Sequence, residues 1–114
     1  ANRIKSVGFA LRGALLLIKT ESSIKIQVFI ALVMTALGFY FEISNTEWIL
    51  QIFAIALVLG IEGMNTAVEK IADFIHREFH EKIGFIKDIA AGAVMMVSIA
   101  SAIIGMIIYL PKIF

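Results

Sequence analysis

Polar residues are scarce between Trp48 and Ile75, and those present recur with the spacing of one helix face. At about 100° per residue, Glu62, Asn65, Thr66, Glu69 and Asp73 share one narrow stripe. Ile61, Met64, Ala67, Val68, Ile71 and Ala72 occupy the other faces. Glu62 and Glu69 stand two turns apart, roughly 10 Å along the axis, too far for both to grip one ion directly. That spacing suits one carboxylate working on a substrate and the other holding a metal.

The remaining pattern divides into four helices and their joints. Residues 2–20 mix Arg3, Lys5, Arg12 and Lys19 with Ile4, Val7, Leu11, Ala14, Leu15 and Ile18. This predicts an amphipathic helix lying in a membrane interface, and it reads equally as a solvated charged face that anchors the protein. Glu21-Ser-Ser marks a break before the next apolar run. A first span is expected over 23–41. A tight polar turn at 42–47 follows, with Asn45 or Thr46 as its cap, flanked by Tyr40 and Trp48 as interfacial aromatics. The second span covers 48–75. At 1.5 Å per residue it is roughly 40 Å long, more than the ~30 Å hydrocarbon core, so its last turns leave the membrane. His76 to Lys87 reads as a polar connection, and 88–110 as the third span, ended by Pro111-Lys112. Ala90-Ala-Gly-Ala93 and Ser101-xxx-Gly105 supply small residues for close helix approach.

Composition turns these apolar runs into membrane spans. The chain of 114 residues is 61% hydrophobic with a mean hydropathy of +0.96. A single soluble domain of this size cannot bury that much apolar surface. The expected class is an all-α membrane protein, one domain over 1–114: a surface helix plus three transmembrane helices. A net charge of +1 gives no reason to expect nucleic acid. Without cysteine there are no disulfides or thiolate metal sites. The N-terminal stretch is a poor signal peptide, because Arg12-Gly13 interrupts it and no small-x-small cleavage site follows.

Charge then sets the orientation. Arg3, Lys5, Arg12, Lys19 and Lys25 precede or open span one, and Lys70, Arg77, Lys82 and Lys87 lie between spans two and three. The 42–47 turn has no cation. The expected N-terminus is therefore cytoplasmic. Glu21, the Glu62–Asp73 stripe and Lys87-Asp88 all reach that one interface. Carboxylates suit Mg²⁺, which takes few protein ligands and shares substrate phosphates. The start of span three and Lys87 suit a phosphate. A carboxylate free of metal can take a proton from an alcohol. Together these point to phosphoryl transfer to a lipid hydroxyl, with no P-loop motif present. Blander readings stand beside this one. Glu62 can serve as helix-to-helix glue, Glu69 and Asp73 as the wet end of a helix, and Glu21 as a cap. His76 and His80, one turn apart, read as a metal pair or, more simply, as solvated loop residues. A small oligomeric cation channel or carrier, or a structural membrane subunit, is the rival function.

The pattern Glu62-xx-Asn65-Thr-Ala-Val-Glu69-xxx-Asp73, then Glu78-Phe-His80, then Lys87-Asp88-xx-Ala-Gly-Ala-Val94, resembles the prokaryotic diacylglycerol kinase and undecaprenol kinase family. The resemblance extends to Lys5-xx-Gly8-Phe9-xx-Arg12-Gly13 and to Glu21. It implies a homotrimer of three-span subunits, and ATP-dependent phosphorylation of a lipid alcohol in a site shared between subunits. It implies Glu62 as general base with Asn65 in support, and Glu21 and Glu69 as holders of the Mg²⁺ that accompanies ATP. It implies nucleotide contacts at Lys87 and Asp88, with Glu78, Phe79 and His80 beside the adenosine. Lipid contacts are implied at Arg12, Glu62 and Ala91. Two departures bear on detail. Relatives carry tyrosine where this chain has Phe9. Gly-Ser follows Lys-Asp in proteobacterial diacylglycerol kinases, whereas Ala90-Ala91-Gly92 stands here, which resembles the undecaprenol kinase branch and leans the expected substrate towards undecaprenol.

Overall fold

A computed structural model describes residues 3–75 and 80–114. Four helices follow one another: α1 (Arg3–Thr20), α2 (Ser22–Tyr40), α3 (Asn45–Ile75) and α4 (Glu81–Ile113). The last three are long and apolar enough to cross a membrane. Most of their large apolar side chains, among them Phe29, Leu32, Phe53, Met96 and Ile107, face outwards. In water that surface would be ruinous, whereas hydrocarbon accepts it at no cost, and the chain is an integral membrane protein.

The joints follow from local chemistry. Glu21 adopts an extended conformation between α1 and α2 and turns the chain without a side-chain cap. α2 ends in a Schellman motif, in which Ile43 N–H donates to Gly38 O (3.1 Å) and Glu42 N–H to Phe39 O (3.3 Å). Glu42 takes the left-handed position, φ 50°, which glycine or asparagine usually fills. α3 starts with a reciprocal capping box. Glu47 N–H donates to Ser44 Oγ (3.2 Å), and Ser44 N–H to Glu47 Oε1 (2.9 Å). The cap is therefore Ser44, one residue before the expected Asn45 or Thr46, because Glu47 completes its partner set.

Span boundaries agree with expectation at α2 and differ at α4, where the helix begins at Glu81. His80 caps it, its Nδ1 accepting from Lys82 N–H at 3.1 Å, and Glu81 favours the first turn. The stretch 81–87, expected as part of a polar connection, is thus helical. Pro111 does not stop α4 either. It forfeits only the bond to Ile107 O, while Phe114 N–H still closes on Leu110 O at 2.9 Å.

Packing is tightest at the end of the bundle that carries the 41–44 turn. Ile43, Ile108 and Tyr109 form a small core with Met34, Leu37, Phe41, Trp48 and Ile104. Trp48 lies flush on Gly38, where an added Cβ would stand 2.6 Å from the indole. Tyr109 OH donates to Gln51 Oε1 (2.5 Å), and Gln51 Nε2 to Met34 O (3.0 Å), so one buried network joins α2, α3 and α4. Lys112 pairs with Glu47 at 2.8 Å. With Lys87–Asp73 at the other end, these contacts fix the antiparallel register of α3 and α4. The small residues contribute less than expected within one protomer. Ser101 Oγ reaches Ala54 O at 3.4 Å, but among the described residues nothing lies within 4 Å of a Cβ built on Gly92 or Gly105.

Candidate active site

α3 carries the polar stripe as the 3.6-residue period requires, and at 31 residues it is about 46 Å long. Taking Glu47 at one boundary of a ~30 Å core, the other boundary falls near Ala67. Glu62 then lies just inside that boundary, and Asp73 outside it. Among the described residues, Glu62 Oε2 and Asn65 Oδ1 are both buried and find no hydrogen-bond partner. A carboxylate oxygen in that position is costly. Two such acceptors, one turn apart on one face, await a donor such as a hydroxyl. Asn65 is aimed by Glu69, with Nδ2 donating to Oε1 at 3.4 Å. Thr66 is buried and donates to Glu62 O at 3.1 Å, which removes its hydroxyl from competition.

α1 is laid across this site although it buries no residue of its own. Leu17 is its contact, since a Cβ added to Gly63 would meet Leu17 Cδ1 at 3.0 Å. The other tether is Glu21, whose Oε2 is 3.5 Å from Lys70 Nζ. Sequence reasoning missed both Leu17 and Lys70. Gly63 beside the key acid is the signal for Leu17, while nothing in the pattern marks Lys70 except its place after Glu69. Glu21 thereby comes level with the turn of α3 that carries Glu69 and Lys70.

Lys87 pairs with Asp73 at 2.7 Å. Asp73 stands eleven residues beyond Glu62, about 16 Å along the axis. A phosphate held by Lys87 in this pose therefore lies far from the same protomer's Glu62. The expected alliance of Lys87 with free helix N-terminal amides also fails, because α4 starts six residues earlier and those amides sit about 9 Å away. His80 is a helix cap, while His76, Glu78 and Phe79 fall outside the described residues. Arg12 and Phe9 on α1, and Asp88 and Ala91 on α4, are exposed.

Among the described residues no three carboxylates or imidazoles converge on a metal position. Two carboxylates with substrate phosphates suffice for Mg²⁺, and Glu21 and Glu69 are of the right hardness and on adjoining turns.

The family model for prokaryotic diacylglycerol kinase matches residues 8–109. The chain belongs to the prokaryotic diacylglycerol kinase family. An undecaprenol kinase of Bacillus subtilis is 35% identical over 95% of this chain and 88% of its own. A diacylglycerol kinase of Haemophilus influenzae is 33% identical over 91% and 86%, and that of Escherichia coli K12 is 26% identical over 88% and 82%. As a member of the family the chain is a lipid kinase, and the rival channel reading is set aside. Relatives of both names match about equally well, so resemblance does not choose the lipid.

Proposed function

We propose that this kinase transfers the γ-phosphoryl group of ATP to the hydroxyl of a lipid alcohol, undecaprenol or diacylglycerol, with Ala90-Ala91-Gly92 after Lys87-Asp88 leaning slightly to undecaprenol. The carrying observation is the pair of unpartnered acceptors, Glu62 Oε2 and Asn65 Oδ1, just inside the membrane boundary. The acceptor hydroxyl donates to the Glu62 carboxylate, and Asn65 positions it. As its oxygen forms a bond to the γ-phosphorus, the proton moves to Glu62. The bond between that phosphorus and the β–γ bridging oxygen breaks, and ADP leaves with the electron pair. Glu62 then returns its proton to water. Glu21 and Glu69 would hold Mg²⁺, which neutralises charge on the nucleotide phosphates. For Glu21 to do so, its pairing with Lys70 must open, a small cost at a contact 71% exposed on the lysine side. The Lys87 end of the bundle faces the cytoplasm, where the cations collect, and α1 lies along that surface with its apolar residues in lipid.

The reading includes a homotrimer with composite sites. Lys87 stands about 16 Å from the level of its own Glu62, so a neighbouring subunit's Lys87 is the better placed phosphate holder. Glu62→Gln keeps the shape, removes the base, and should lower turnover by roughly 10² to 10⁴. Near-normal phosphorylation of undecaprenol by the purified variant ends the assignment. Mixing Glu62→Gln with Lys87→Ala protomers should restore part of the activity that each lacks. No recovery in oligomers shown to be mixed means both residues serve one protomer's site.

A further inference from the structure

Glu21 stands at the N-cap of α2, yet its carboxylate does not cap that helix. Its backbone is held from both sides, the N–H donating to Leu17 O (3.0 Å) and the carbonyl accepting from Lys25 N–H (3.1 Å). The Thr20 hydroxyl beside it is committed to Leu16 O at 2.6 Å. Lys25, one turn on, offers the Glu-to-Lys spacing that usually pairs on a helix surface. Among the described residues Glu21 takes Lys70 instead, across to α3, at 3.5 Å. Gly63 and Lys70 recur on one edge of α3, two turns apart. The contact of Leu17 with Gly63 and that of Glu21 with Lys70 therefore form one seam.

The two carboxylates expected to hold the nucleotide's Mg²⁺ are thus in unequal states. Among the described residues Glu69 holds only the Asn65 amide, at 3.4 Å, whereas Glu21 already has an ammonium beside it. The two partners of that ion pair are unequal as well. The lysine side chain is 71% exposed and the glutamate 24%. Lys70 can leave for water at little cost, while Glu21 is fixed by its backbone bonds at the break between α1 and α2. The pair therefore opens by departure of the lysine, and the carboxylate stays in place.

We propose that Lys70 is a stand-in cation for the metal, neutralising Glu21 while no nucleotide is bound and giving way to the Mg²⁺ that arrives with ATP. This deepens, and rests on, the reading of Glu21 and Glu69 as holders of that metal. Lys70 is then a competitor that sets how much Mg-nucleotide completes the site. Its leverage is modest, because an exposed ion pair shifts an equilibrium by about fivefold at most.

Zero-length cross-linking tests the exchange without turnover. A carbodiimide joins a carboxylate to an ammonium that touches it. In the purified, nucleotide-free protein it should join Glu21 to Lys70, read as a linked peptide by mass spectrometry. Mg²⁺ together with β,γ-methylene-ATP should suppress the link, and either alone should do so far less. A link that persists when both are saturating overturns the proposal, and so does its absence from the nucleotide-free protein. A second measurement follows Mn²⁺ in place of Mg²⁺, with the same nucleotide analogue, by loss of the free-ion EPR signal. Lys70→Gln should tighten Mn²⁺ binding about two- to fivefold. Lys25→Gln removes the same charge from a lysine whose ammonium does not pair with Glu21, and should tighten it less. In a Glu21→Gln background, Lys70→Gln should change little, because its partner is gone. Equal tightening by the two lysine variants, an undiminished effect in the Glu21→Gln background, or weaker binding in Lys70→Gln overturns the proposal. Failure of the underlying metal reading looks different. Glu21→Gln and Glu69→Gln would then bind Mn²⁺ as the unaltered protein does, and the proposal would fall with that reading.

Discussion

Replacing Gly63 by leucine should lift α1 off the site. A Cβ at position 63 lies 3.0 Å from Leu17 Cδ1, and the flexible tip of Leu17 can absorb that alone. The further carbons of a leucine cannot be absorbed, and overpacking of this kind costs about 1–3 kcal/mol. α1 has little with which to resist. It buries no residue, and its other tether, Glu21–Lys70, is an exposed contact at 3.5 Å worth at most about 1 kcal/mol. The strain is therefore relieved by undocking α1, which shifts the docking equilibrium by about 5- to 150-fold. Spin labels on cysteines placed at Lys5 and Met64, both exposed in a chain free of cysteine, report the change as a longer and broader distance distribution. Lipid phosphorylation should fall with the docked fraction, and Leu17→Ala should restore both by making room. An unchanged distance and normal turnover in Gly63→Leu refute the reasoning. So does a folded Gly63→Leu protein that Leu17→Ala fails to rescue.

Three further outcomes are expected. Gly38→Ala drives a Cβ to 2.6 and 2.8 Å from Trp48 Cη2 and Cζ2, and should lower unfolding free energy in a detergent titration by about 1–3 kcal/mol, a loss that shrinks when Trp48 is first made leucine. Glu42→Gly removes left-handed strain at φ 50° and should raise stability by roughly 0.5–1 kcal/mol; a decrease in the same titration counts against the strain. Glu21→Gln and Glu69→Gln should each raise the Mg²⁺ concentration needed for half-maximal turnover, and the double variant should lose less than the product of the singles if both serve one ion; strict multiplication points to separate roles.

Much of this protein was legible in the order of its residues. Apolar runs too long for a soluble core gave three spans, because hydrocarbon demands helices of a set length. The period of Glu62, Asn65 and Glu69 put them on one face, since that depends only on helix geometry. Glu21-Ser-Ser was readable as a break because no apolar run crosses it. Helix ends were less readable. Ser44 rather than Asn45 caps α3, and α4 starts at Glu81, because a cap is chosen by reciprocal hydrogen bonds that several neighbouring residues can offer. What only the tertiary structure decided was pairing between elements. Which acid Lys87 neutralises, that Lys70 reaches Glu21, and that Leu17 rests on Gly63 all depend on the register and separation of helices. Those are fixed by a handful of distant contacts, such as Gln51–Tyr109 and Glu47–Lys112, whose partners lie 58 and 65 residues apart. No local pattern encodes such a match; it appears only when packing brings the partners together.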